Sequence, residues 1–242
     1  MMKKIFTLLL FIAILFTSTY AQKGLQVGAN YMYLSTSILN QNTWGIDKEY
    51  DYKFTYNHSY GIDVGYQFND RMGIYSGFWF TNLGQGYTDE YDGSSWERSL
   101  TLKYNVIPAM LRFSSSKHTI NFIGGVGVLF AFMNKAEQEW LQDGVVYEGN
   151  IENISTGGFF NVGASDVTDR FAKNDIILSL ELGFRVFLMD QLYLDLTGNA
   201  GYGVKDFNDP DWQIKNSDGE YTGSHNVYGS FKVGVAYVLF GE

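Results

Sequence analysis

From residue 24 onward, apolar side chains recur at every second position over long stretches of the chain. A period of two is the mark of β-strands, because successive side chains point to opposite faces. Leu25, Val27, Ala29, Tyr31 and Tyr33 alternate with Gln26, Gly28, Asn30 and Met32. Tyr60, Ile62, Val64, Tyr66 and Phe68 alternate with Gly61, Asp63, Gly65 and Gln67. A third run covers 72–87 and a fourth 97–113. The third has Phe78 and Phe80 on one face and Tyr75 and Trp79 on the other, so both faces are aromatic and its orientation stays open. In the fifth, Ile120, Phe122, Val126, Val128, Phe130 and Phe132 oppose Asn121, Gly125, Gly127 and Ala131. In the sixth, Ile176, Leu178, Leu180, Leu182, Phe184 and Val186 oppose Ser179, Glu181, Gly183 and Arg185. Leu192, Leu194 and Leu196 begin the seventh, and Val233, Val235, Tyr237 and Leu239 end the eighth.

The connections alternate in length. Turns near 70, 115 and 190 are short, whereas the loops at 39–56, 88–96, 135–172 and 207–223 are long. Short turns on one side and long loops on the other are the plan of outer-membrane barrels. The expected fold is therefore all-β: an eight-stranded antiparallel up-and-down transmembrane β-barrel over 22–242. Its strands exceed the ~9–11 residues a tilted membrane strand needs, so the excess projects beyond the bilayer. A soluble barrel with a ligand cavity shows the same alternation with the faces exchanged. Two features favour the inverted arrangement. The polar face is small, with glycine at many positions, which suits a narrow crowded lumen. Its charges also balance, and buried charges need partners. The expected lumen network sets Asp63, Glu181 and Asp195 against Lys103, Arg185 and Lys232.

The N-terminal segment reads differently. Lys3 and Lys4 precede an unbroken apolar run from Ile5 to Phe16, with Thr19 and Ala21 as small residues before a cut. This is the pattern of a cleavable export signal over 1–21. Its apolar run is shorter than the ~20 residues of a membrane-spanning helix.

Composition narrows the function. A net charge of -9 argues against a nucleic-acid partner, since phosphate contacts need a basic face. The absence of cysteine excludes disulfides, thiolate metal sites and a cysteine nucleophile. The four long loops carry -1, -3, -5 and -3, so the acidity belongs to one end of the barrel.

Leu102-Lys103-Tyr104-Asn105-Val106-Ile107-Pro108-Ala109-Met110-Leu111-Arg112-Phe113 resembles the "Y-L-E-I-P-L-L-L-K-Y" strand of the PorT-like outer-membrane β-barrel family of Bacteroidota. Gly73 to Gly86 is similar to that family's aromatic strand, Ile120 to Phe132 to the strand with a G-x-G core, and Val227 to Phe240 to its closing strand. The chain has Asn105 where the family often has Leu. The resemblance implies an OmpA/OmpX-like eight-stranded barrel in the outer membrane, with a link to secretion or gliding machinery in some members. Pro108 cannot donate to a ladder, and a closed barrel has no edge, so a β-bulge is expected there, resetting the alternation between Val106 and Leu111.

Chemistry-bearing motifs are few. His58 and His225 stand near the long-loop ends of their strands with Ser59, Ser224 and Asp63 nearby. A lipid-modifying enzyme would need a Ser–His pair with an orienting carboxylate there. His118 reads as a solvated turn residue. Asp209, Asp211, Asp218 and Glu220 offer carboxylate oxygens to a divalent cation, though acidic solvated loops are common. Gly157-Gly158-Phe159-Phe160 is a candidate plug, and Ala136 to Asp143 a candidate helix or short strand. The leading reading is a non-enzymatic barrel without cofactor that displays acidic loops for adhesion, envelope integrity or partner assembly. Its expected partners are outer-membrane lipid and, during biogenesis, the barrel-assembly machinery. A lipid-modifying enzyme and a soluble ligand-binding barrel are the alternatives.

Overall fold

The computed structural model describes residues 23–40, 51–115, 119–147, 150–153, 158–161, 166–213, 215 and 219–240. The expected export signal, His118 and Asp218 lie outside the described residues. Eight long strands form the barrel: β1 (Gly24–Leu39), β2 (Thr55–Asn69), β3 (Met72–Tyr91), β4 (Ser94–Ser114), β5 (Ile120–Gln142), β6 (Asn174–Phe187), β7 (Leu192–Gly203) and β8 (His225–Phe240). Each pairs antiparallel with its sequence neighbour, and β8 returns to pair with β1, so the ring closes. Closure leaves no unpaired barrel edge.

The stagger of the ring can be read by following paired residues. Val27 faces Val64, then Ser76, Ala109, Val128, Leu178, Tyr202 and Val227. The path re-enters β1 at Ser37, ten residues from its start. A stagger of ten over eight strands goes with a strand tilt of about 35–45°. Such a barrel has an interior just wide enough for side chains.

The faces are inverted relative to a soluble protein. On β6, Leu180 and Leu182 are 59% and 61% exposed, while Glu181 between them is 1% exposed. Phe78 and Phe80 face outward and Tyr75 and Trp79 inward, which orients the strand whose two faces are both aromatic. Outward apolar side chains on every strand, from Val27 to Leu239, form a continuous band. Soluble monomers rarely expose apolar patches beyond a few hundred Å². Lumen glycines make room for the inward rings. A Cβ on Gly65 would stand 2.3 Å from the Tyr75 ring. That ring cannot swing freely, because its hydroxyl is held between Gln26 Oε1 at 2.8 Å and Gln67 Oε1 at 2.9 Å. Gly65→Ala is therefore expected to cost about 1–3 kcal/mol in urea unfolding of the refolded barrel.

Three expectations are corrected. First, the register runs unshifted past Pro108, which faces Leu129 on β5. Ser76↔Ala109 and Trp79↔Val106 keep one register on β3, and the ladder lapses between them where proline offers no N–H. Val106, Met110 and Arg112 all face inward, so the alternation is not reset. The bulge sits at Lys103/Tyr104 instead. Second, 88–96 is not a loop. β3 and β4 continue to a two-residue turn at Asp92-Gly93, with φ of 51° and 78°. Both angles are left-handed, as a type I′ hairpin turn requires. Third, Ala136 to Gln142 is neither a helix nor a short strand but the end of β5, which turns back at Asp143-Gly144 in the same way.

Candidate functional site

The lower lumen, toward the short turns, holds a cluster of charges. Glu181 (β6) lies between Arg112 (β4) and Lys232 (β8). Arg112 Nη2 donates to Glu181 Oε2 at 3.1 Å, and Lys232 Nζ donates to the same oxygen. Arg112 Nε approaches Glu181 Oε1 at 2.7 Å as a charge contact without hydrogen-bond alignment. Asp195 (β7) accepts both arms of Arg185 (β6), Nε at 2.8 Å and Nη2 at 3.0 Å. This two-pronged geometry is the strongest form of carboxylate recognition by arginine. Arg112 reaches Asp195 at 3.8 Å and joins the two pairs.

Aromatic rings seat the cations. Arg185 stacks over Tyr193 at 3.8 Å, and Arg112 over Tyr75 at 4.3 Å. Gln26 accepts from both tyrosine hydroxyls, Tyr193 at 2.6 Å and Tyr75 at 2.8 Å. Trp79 Nε1 donates to Asp63 Oδ1 at 2.7 Å. Three cations, Arg112, Arg185 and Lys232, thus share this level with three anions, Asp63, Glu181 and Asp195. The space left among Asp63, Arg112, Asp195 and Lys232 is about the size of one water molecule. Below it, Phe187, Tyr193 and Val238 pack together at the turn end.

The structure brings Glu181, Arg185, Asp195 and Lys232 together and sets half-buried Asp63 beside them. Lys103 stands apart and corrects the expected list. It faces outward at the opposite end and contacts Glu137 at 2.6 Å. Arg112 takes its place. Its inward parity with Val106 and Met110 was available in the sequence once no reset at Pro108 is assumed.

The upper lumen is mainly apolar, with buried Gln85, Asp175 and Asn226 hydrogen-bonded among the apolar side chains. Leu34, Leu83, Leu102 and Ile177 fill it, and Val167, Phe171 and Phe207 fold in from the long connections as a lid. Among the described residues, 167–171, around the short turn Thr168–Arg170, caps the barrel together with Phe207. Gly158 to Phe160, the described part of the expected plug, instead belong to the strand Gly158–Asn161, which pairs with Asn150–Asn153 in a separate ribbon. In the last loop, Asp206 accepts from Tyr221 Oη at 2.5 Å and from the Ser224 amide at 3.0 Å. Burial and the hydrogen bond to Asp206 push the Tyr221 hydroxyl well above its ordinary range.

The rim histidines do not assemble a nucleophile. His58 faces outward and bonds Tyr31 Oη, whereas Ser59 faces inward and bonds Thr81 at 2.7 Å. His225 contacts the Gly203 carbonyl at 3.0 Å and stacks on Tyr202. His58 pairs with Tyr33 on β1 and His225 with Leu39, six positions along the strand. Among the described residues no group of three or more His, Asp or Glu is placed to hold a metal ion. Asp209 uses its carboxylate to cap the turn Pro210–Trp212, accepting from the Asp211 amide.

Fold and lumen together define a closed eight-stranded antiparallel β-barrel built inside out, apolar without and charged within. No protein-family model matches the chain, and no curated protein matches it. Among solved structures it is similar to Neisserial surface protein A, at 12% identity and a TM-score of 0.45, over 90% of this chain and 99% of that one. It is also similar to the outer membrane protein OprG from Pseudomonas aeruginosa, at 11% identity and a TM-score of 0.43, over 91% and 97%. A third is Ail, the attachment invasion locus protein of Yersinia pestis, at 12% identity and a TM-score of 0.38, over 88% and 99%.

Proposed function

We propose that this chain is a non-enzymatic outer-membrane barrel, a sealed scaffold that holds acidic hairpins and loops above the membrane for adhesion, envelope integrity or partner assembly. The observation that carries the reading is the inversion on β6, where exposed Leu180 and Leu182 flank buried, ion-paired Glu181. A bilayer accepts the first pair, and only a shielded lumen accepts the second. The charge cluster below and the apolar side chains above fill the described lumen, which favours a scaffold over a diffusion pore. The resemblance to PorT-like proteins extends the proposal to assembly with secretion machinery. Outer-membrane lipid surrounds the band, and the barrel-assembly machinery inserts it.

Fractionation and protease shaving of intact cells test this reading. The folded protein is expected in the outer-membrane fraction, with heat-modifiable gel mobility. Cleavage is expected in the 143–173 connection and not at the turns near 70 and 190. In planar bilayers the purified barrel is expected to give no steady conductance. Recovery of the mature chain in the soluble periplasmic pool would refute the proposal.

A further inference from the structure

The end of the barrel that carries the acidic loops also carries a row of lysines on one side. Lys103 on β4 faces Lys135 on β5 directly. Lys173, exposed at the bend before β6, accepts the Met133 amide through its carbonyl, two residues below Lys135. Lys205 follows β7, and its ammonium donates to the exposed Asn174 side chain. Asn174 pairs with outward Phe132, so that ammonium lies on the outer side of the wall.

These four stand at one height. In a tilted barrel, a level line falls behind the hydrogen-bonded path by the stagger divided among the strands. The row descends two residues from Lys135 to Lys173 and two more to Lys205, four over three strand steps, in keeping with ten over eight. On the other side, Ser37, Tyr56 and Asn82 stand near the same level on β1, β2 and β3, and none is charged. Directly below the row, Ile107, Phe130, Phe132 and Leu178 are all exposed, from 41% to 50%. Ammonium groups above and bare hydrocarbon below match the two ends of a lipid.

Glu137 sits in the row as an internal anion. It contacts Lys103 at 2.6 Å and Lys135 at 2.7 Å. Hydrogen bonds from Lys103 and Lys135 hold its carboxyl below the ordinary range. Asp166 bridges beside it and bonds Thr168. One carboxylate held by two ammonium groups marks the place a phosphate oxygen can take.

We propose that the β4–β7 wall binds a lipid bearing headgroup phosphates, with Lys103, Lys135, Lys173 and Lys205 on the phosphates and the acyl chains on the apolar wall beneath. This rests on the membrane reading above. The area is an exception in an otherwise acidic outer end, so it selects lipid by charge and confines it to one half of the circumference.

The test uses the mature protein in phosphatidylcholine nanodiscs doped with diphosphorylated lipid A or with its dephosphorylated form, read by native mass spectrometry. Wild type is expected to retain the phosphorylated lipid selectively. Substitution of all four lysines by Gln should weaken retention by at least about a hundredfold, at roughly fivefold per lysine. Lys215→Gln, a loop control, should change nothing, and Glu137→Gln should tighten retention by about fivefold through loss of the internal competitor. Heat-modifiable mobility confirms that each variant is folded. Equal retention by wild type and the four-lysine variant, or equal retention of the dephosphorylated lipid, would overturn the proposal. Displacement of the lipid by millimolar pyrophosphate would assign the row to soluble anions and overturn the lipid assignment. Failure of wild type to enter nanodiscs would instead bring down the membrane reading, and this one with it.

Discussion

Glu181→Gln is expected to destabilise the barrel by about 3–5 kcal/mol, measured by urea unfolding of the refolded protein in micelles. The size follows from what remains. Glu181 is the carboxylate shared by Arg112 and Lys232, and all three are at least 94% buried. Removing its charge leaves two cations in a closed lumen with Asp63 and with an Asp195 already held by Arg185. A buried charge that loses its partner costs far more than the pair itself contributes. The compensating variant distinguishes this from simple loss of packing. Glu181→Gln combined with Lys232→Gln restores neutrality and is expected to recover a large part of the loss, a coupling of about 0.5–3 kcal/mol. A single substitution within about 0.5 kcal/mol of wild type would mean that water reaches the cluster.

Leu180→Arg carries the second large effect. Leu180 lies midway along β6 on the outer face, 59% exposed to the surroundings. If those surroundings are hydrocarbon, arginine there is expected to cost about 2–4 kcal/mol in a bilayer. In a soluble barrel the same change on an exposed position would stay within about 0.5 kcal/mol. The opposed predictions arise because the substitution adds a charge without removing any contact the lumen depends on. Folding in lipid vesicles, followed by gel mobility, gives the comparison directly.

Strand phases were readable wherever one face was polar. On β6, β7 and β8 the alternation of Leu or Val with Glu, Arg, Asp, Lys and Gly fixes the faces, and the structure places Glu181, Arg185, Asp195 and Lys232 together. On β4 the rule failed. Leu100, Leu102, Tyr104 and Val106 face inward because most of the upper lumen is itself apolar. Hydrophobicity then no longer tells inside from outside, and the alternation points to Lys103 where the structure has Arg112. Pro108 misled in the same stretch, since the strand absorbs it by a lapse in one ladder without a change of register. The two extended hairpins did carry a readable signal. Asp92-Gly93 and Asp143-Gly144 are Asp-Gly pairs, the strongest local mark of a tight hairpin. Both pairs lie in stretches whose connection lengths read as long loops, and the strands extend through them instead. The lid of Val167, Phe171 and Phe207 had no local signal, because it depends on long-range packing across the mouth.

The apolar outer face of this barrel is expected to meet lipid and not water, and the chain is suited to a direct test because it has no cysteine. Single cysteines at Phe130, Leu182, Phe231, Asp92 and Asp143 can each carry a nitroxide in the protein reconstituted in bilayers. Collision with dissolved oxygen is expected to dominate at Phe130, Leu182 and Phe231, and collision with a water-soluble nickel complex at Asp92 and Asp143. Nickel access at Phe130, Leu182 and Phe231 equal to that at the two aspartates would mean that water, and not lipid, covers the apolar face.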